Sequence, residues 1–158
     1  MYDYKRLIKE EKNHFKGVEL TNDLREGGAH ASGAWNYYWS GVGKVLDKAG
    51  VSRFGEYLSK RFRGLSRPIK VLSLGSGYCG HELALARDLS IEYEIHCTDI
   101  NMDLFDAAKK AAQAEQLNLT FSVEDLNFVK IKPRGFEVIF SHAAIHHALN
   151  FELLFDEI

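Results

Sequence analysis

The sequence predicts an α/β protein: a mostly parallel sheet with helices on both faces, preceded by an N-terminal helical region. Three observations carry that expectation. From residue 69 onward, short apolar runs alternate with segments of helical periodicity. The turn Gly75-Ser76-Gly77-Tyr78-Cys79-Gly80 joins the first apolar run directly to the first of those helices. Arg67-Pro68 stands just before that run, where proline makes a natural boundary. The division that follows is an N-terminal helical region over 1–66 and an α/β core over 67–158.

In the first region, Tyr4, Leu7, Ile8 and Phe15 recur at roughly helical spacing with charges between them. Phe54, Tyr57, Leu58, Phe62 and Leu65 do so more regularly. Residues 27–43 are rich in glycine and aromatic side chains and read as a loop, or a loop leading into a helix. Either this is a hinge with its aromatics tucked onto the core, or a lid in which Tyr37, Tyr38 or Trp39 covers a ligand. The core then reads as strand 69–74, helix 80–89 and strand 93–98. Leu104, Phe105, Ala108, Ala111 and Ala112 give the next helix its apolar face, with Asp103 and Asp106 early and Lys109 and Lys110 late, as the helix dipole favours. A short strand near 119–122, a loop through Pro133-Arg134-Gly135, a strand over 136–140 and a helix from 151 complete the pattern.

Composition narrows the function. The 158 residues are 46% hydrophobic, enough for one sizeable core. A net charge of −2 provides no basic field for nucleic acid. No run approaches the ~20 apolar residues that span a bilayer. The polar start Met1-Tyr2-Asp3-Tyr4-Lys5-Arg6 carries no apolar signal segment, so a cytoplasmic chain without membrane contact is expected. Two cysteines, Cys79 and Cys97, make neither a disulfide framework nor a metal site; no metal is expected.

In an open parallel sheet, ligands sit beyond the carboxyl ends of the strands. The residues just after each strand therefore form one group. Glycines at 75 and 77 permit close backbone approach, and the following helix points free N–H groups at whatever lies over the turn. Asp99, 24 positions beyond Gly75, suits the two hydroxyls of a ribose. Glu124-Asp125-Leu126-Asn127 follows the third strand, and Ser141-His142-Ala143-Ala144-Ile145-His146-His147 the fourth. Each has a plainer alternative: Asp99-Ile100-Asn101 as a helix cap, Glu124 and Asp125 as a solvated turn, the histidines as packing residues.

Val71-Leu72-Ser73-Leu74-Gly75-Ser76-Gly77 resembles the first motif of class I S-adenosylmethionine-dependent methyltransferases, a Rossmann-like family. Asp99 matches the family's acidic ribose-binding residue, and Asp125-Leu126 its adenine-binding pair. Residues 136–147 are similar to its fourth strand and post-strand segment, notably in the small-molecule branch. The resemblance covers about 69–158. It implies S-adenosylmethionine as cofactor, S-adenosylhomocysteine as product, and a small-molecule or sugar-like acceptor. It also implies cofactor contacts from Ser73, Gly75, Ser76, Gly77, Asp99, Ile100, Asn101, Glu124, Asp125, Leu126, Ser141 and His142. His146, then His147 and His142, are the candidate bases, since imidazole titrates near neutral pH. Two departures stand out. Ser73 occupies a position where the family usually carries Asp or Glu. The family's strand order is 3-2-1-4-5-7-6, of which four strands are present, so the sheet is expected to be incomplete at the C-terminus. Its fourth strand is then an edge, and self-association through that edge or the helix from 151 is expected. Two other functions fit part of the pattern: an NAD(P)-dependent oxidoreductase, since Gly75-x-Gly77-x-x-Gly80 and Asp99 satisfy that fingerprint too, and a non-catalytic binding or assembly module.

Overall fold

A computed structural model describes residues 4–14, 33–131 and 135–158, with the backbone alone for residues 11, 14, 33–36, 38 and 39. Among them, α1 (Tyr4–His14), α2 (Gly33–Lys48) and α3 (Phe54–Arg61) precede β1 (Ile69–Leu74). Then come α4 (Gly80–Asp88), β2 (Tyr93–Asp99), a 3-10 turn (Met102–Phe105) running into α5 (Asp106–Glu115), and β3 (Leu119–Val123). β4 (Val138–Phe140), a 3-10 turn (Ile145–His147) and α6 (Phe151–Glu157) follow. None of these helices is long and apolar enough to cross a membrane.

The four strands form one parallel sheet in the order β3-β2-β1-β4. β1 lies between two partners, and helices cover both of its faces. That explains a continuous apolar run rather than an alternating one. Ile69, Val71, Leu72 and Leu74 are all fully buried. On one face Ile69 and Val71 pack with Leu58 of α3, Leu85 and Ala86 of α4, and Phe105 and Ala108 of the β2–β3 connection. On the other, Leu72 and Leu74 meet Val129, Ile131, Ala148 and Leu154 of α6. Each such side chain contributes roughly 1.5–3 kcal/mol by leaving water.

α3 is fastened to this core. Gly55 lies so close to α4 that a Cβ there would come within 2.6 Å of the Asp88 Cβ. Arg53 pairs with Asp88 at 2.6 Å, and the Ser59 hydroxyl accepts the Ser90 N–H at 2.9 Å.

Two expectations need revision. The fourth strand is shorter than 136–140, because only Val138–Phe140 pairs with β1. Ahead of it, the Glu137 carboxylate accepts the Lys70 N–H at 2.7 Å and pairs with Arg67 at 2.5 Å, so a side chain takes over where the ladder ends. The helix after β2 opens as a 3-10 turn, capped by the Asn101 side chain, which accepts the Asp103 N–H at 3.2 Å. Within 27–43, residues from Gly33 onward form helix α2, in keeping with the alternative of a loop leading into a helix. Tyr37 on that helix is 83% exposed and does not line the cleft described below. The side chains of Tyr38 and Trp39, residues 27–32, Phe15 and Pro133-Arg134 lie outside the described residues.

Candidate functional site

β1 ends at Leu74, and the chain must then turn sharply to start α4. Gly75 and Gly77 both take positive φ, +66° and +52°, a region that costs an L side chain about 1–2 kcal/mol. Cys79 follows at φ 58° as the residue before α4, with no side-chain cap. The turn is locked to β2 from behind. Ser76 N–H donates to the Thr98 carbonyl at 2.8 Å, and Thr98 N–H donates to the Ser76 hydroxyl at 3.1 Å. Thr98 Oγ1 in turn donates to the Ser73 carbonyl at 2.8 Å. The Cys79 thiol is buried beside Cys97, whose hydrogen bond and the surrounding apolar atoms push its pKa up, so it stays neutral.

Above the turn lies a cleft of about 2010 Å³, bounded by the ends of all four strands. That exceeds the roughly 300–1,000 Å³ of an ordinary small-molecule site. Gly75, Ser76, Gly77, Asp99, Ile100, Asn101, Glu124, Asp125, Leu126, His142, His146 and His147 all line it. Ser73 and Ser141 do not. Ser73 is buried within the sheet, and Ser141 donates to the Leu74 carbonyl at 3.0 Å, tying β4 to the end of β1.

Asp99 holds its own loop. Oδ2 accepts the Gly77 N–H at 2.8 Å and Oδ1 the Asn101 N–H at 2.8 Å. A carboxylate has about four acceptor sites, so two remain for a ligand's hydroxyls. The capping role weighed for this segment falls to Asn101, which is 8% exposed. Ile100 lines the cleft between them. The Glu124 carboxylate accepts the Ser122 hydroxyl at 3.0 Å and stands 3.6 Å from His96 Nε2.

Asp125 is held by several hydrogen bonds. Oδ1 accepts both the backbone N–H and the side-chain amide of Asn127, at 2.9 and 3.0 Å. Oδ2 accepts the hydroxyl of Tyr4, which α1 brings from the far end of the sequence. Burial, reinforced by the bond to Asp125, pushes the Tyr4 pKa up to about 12. The Tyr4 ring meets Phe128 edge-on at 5.6 Å, and Leu7 and Ile8 continue the same wall. Tyr4, Leu7 and Ile8 thus make α1 one wall of the cleft. A tyrosine 121 residues from its partner leaves no local signal.

Among the described residues, four histidines face the cleft. His142, after β4, lies 3.9 Å from the ring of His81 in the first turn of α4. Burial lowers both pKa values, and for His81 the neighbouring His142 adds to it, so the pair is neutral at neutral pH. His146 and His147 are exposed and lie 4.0 Å apart. His81 went unremarked in the sequence because only the fold brings it against His142. No three His, Cys, Asp or Glu side chains among the described residues converge as metal ligands.

The profile of a family described as a methyltransferase domain matches residues 71–158, the part of the chain that builds the cleft. Among solved structures, the CMeT domain of the citrinin polyketide synthase superposes with a TM-score of 0.53 at 24% identity, over 63% of this chain and 27% of that one. A protein of Methanococcus maripaludis described as S-adenosyl-L-methionine-dependent methyltransferase gives 0.54 at 18% identity, over 78% and 56%. A SAM-dependent methyltransferase from Aquifex aeolicus gives 0.50 at 18% identity, over 66% and 57%. At such identities the likeness is one of fold. The chain spans between about a quarter and just over half the length of these structures. No curated protein matches it significantly.

Proposed function

The chain belongs to the methyltransferase domain family, and on that premise we propose that it binds S-adenosylmethionine across the strand ends and transfers its methyl group to a small-molecule or sugar-like acceptor. The observation that carries this reading is the convergence of the Gly75–Gly77 turn, Asp99 and Asp125 on one cleft. The cradle suits the cofactor: a Cβ built on Gly77 would meet nothing within 4 Å, so the space over the turn is open. Asp99 has the acceptor capacity for two ribose hydroxyls. Asp125 accepts from the adenine amine, with the Leu126 backbone beside it.

The bound cofactor supplies a methyl group on a positively charged sulfur, open to in-line attack. The chain's own task is to position the acceptor and exclude water. Where the acceptor is a hydroxyl or amine, an imidazole takes its proton, and His146 is the first candidate. His147, its neighbour, and the neutral His142 are the others.

Titration calorimetry with S-adenosylhomocysteine and with NAD tests the proposal. Saturable binding of the first alone is expected; binding of NAD alone would move the chain to the oxidoreductase reading, and binding of neither to an assembly module. Asp125→Ala should weaken S-adenosylhomocysteine by roughly 10- to 150-fold, the equivalent of about 1.5–3 kcal/mol for a charged hydrogen bond. Tyr4→Phe should act the opposite way. Its hydroxyl holds the oxygen that the adenine amine needs, so removing it should tighten binding up to about tenfold. Weaker binding by Tyr4→Phe would mean that the hydroxyl is a ligand contact rather than a competitor.

We also propose self-association along β4 and α6. β4 is an edge of the described sheet, and Phe151, Phe155 and Ile158 beside it are 42%, 58% and 50% exposed. Sedimentation should show a concentration-dependent dimer, and Phe155→Asp should return it to monomer. A wild-type chain sedimenting as one monomer at all concentrations would end this proposal.

A further inference from the structure

Glu82 has no part in the reading above, yet its surroundings ask for one. It lies in the first turn of α4 and is only 2% exposed. Its Oε1 accepts the Ser73 hydroxyl at 2.5 Å, closing the base of the glycine turn. Its Oε2 is buried and has no hydrogen-bond partner among the described residues. Buried polar atoms are almost always matched, and a carboxylate oxygen is among the costliest to leave bare. Burial accordingly raises the Glu82 pKa; the Ser73 hydroxyl and the residue's own backbone N–H oppose it, and Asp99 adds a smaller push upward.

The placement has an electrostatic consequence. A helix N-terminus beneath a glycine turn ordinarily favours an anion, because its N–H groups and dipole present positive charge. Glu82 sits at that end of α4 and offsets the charge. Asp99 brings a second carboxylate to the same turn, bonded to the Gly77 N–H. A pyrophosphate over this turn would feel the field of two acidic groups, and the same field favours a cation. Ser73, which stands where an acidic residue was expected, receives a carboxylate after all, from the helix rather than from the strand.

We propose that Glu82 sets the charge preference of the glycine turn: seated on Ser73 behind it, the carboxylate favours the positively charged ammonium of the cofactor's amino-acid end and disfavours a pyrophosphate. The inference rests on the cofactor reading above. Glu82 does not line the cleft, so it is a positioning residue that acts through its field.

The test uses two neutral-sulfur probes, S-adenosylhomocysteine and 5′-methylthioadenosine. They share the nucleoside, and only the first carries the amino-acid end. Glu82→Gln keeps the shape and the partner of Ser73 but removes the charge. It should weaken S-adenosylhomocysteine roughly tenfold, as for one charge interaction in a partly shielded site, and leave 5′-methylthioadenosine within about twofold. The paired change Ser73→Asp with Glu82→Ser moves the carboxylate onto the strand and should restore the wild-type ratio of the two affinities. Equal losses for both probes in Glu82→Gln would mark a purely structural residue and overturn the inference, as would no loss for either. If Glu82→Gln fails to fold, the paired variant decides alone: a wild-type ratio supports the inference, and a lost preference overturns it. A wild-type chain that binds neither nucleoside overturns the cofactor reading itself, and this inference with it.

Discussion

Replacing His146 by alanine should lower turnover ~10²–10⁴-fold, the range that a positioned general base contributes, while leaving S-adenosylhomocysteine affinity nearly intact. The side chain is exposed at the rim of the cleft, in the 3-10 turn after β4, so its loss removes little packing. Stability should change by no more than about 0.5 kcal/mol, and a fall in turnover is then attributable to chemistry. The competing assignment is the adjacent pair His81 and His142, whose rings are tilted against one another. Burial has lowered both of their pKa values, so they remain neutral, and able to accept a proton, to lower pH than an ordinary imidazole. That gives the pH profile its diagnostic value. Activity falls with pH as the base becomes protonated, and an acid limb displaced well below the usual value of about 6.5 would point to the pair. His142→Ala should then carry the larger loss. Unchanged turnover in both variants would leave the acceptor to lose its proton to water.

What could be read from the sequence was whatever the chain encodes within a few residues. β1 is legible because a strand with neighbours on both edges and helices on both faces carries apolar side chains on both faces, as Ile69, Val71, Leu72 and Leu74 do. The turn after it is legible because positive φ selects glycine at 75 and 77. Asp99 and Asp125 follow from the rule that strand ends carry the ligand groups. Other residues belong to contacts that only the fold creates. Glu82 is indistinguishable in sequence from any solvated helical glutamate, and its burial depends on Ser73 across the turn. Tyr4 looks like one more apolar position on an amphipathic helix until its hydroxyl is found on Asp125. His81 acquires a partner 61 positions away. The strand reads as longer in the sequence because Phe136 and Glu137 continue its apolar and extended character, although its register with β1 starts only at Val138.

The two glycines of the turn should fail in different ways when given a methyl group. At Gly75, φ is +66° and an added Cβ would stand 2.3 Å from the Cβ of Ala144, in the segment after β4. The left-handed backbone costs about 1–2 kcal/mol and the overpacking about 1–3 kcal/mol more. Gly75→Ala should therefore lose roughly 2–5 kcal/mol of unfolding free energy, a large share of a typical domain's stability. At Gly77, φ is +52° but an added Cβ meets nothing within 4 Å. Gly77→Ala should cost only the backbone term of about 1–2 kcal/mol, yet its methyl projects into the space that the cofactor needs. S-adenosylhomocysteine affinity should fall by roughly ten- to a hundredfold, as for overpacking of about 1.4–3 kcal/mol. Urea titration reads the first effect and calorimetry the second. Ala144→Gly supplies the control, because it removes the clash at Gly75 without altering φ. Combined with Gly75→Ala it should recover the overpacking share alone, and the coupling energy of that cycle should be about 1–3 kcal/mol. The same change combined with Gly77→Ala should recover nothing. If Gly77→Ala binds S-adenosylhomocysteine as tightly as the wild type, the cofactor does not lie over this turn.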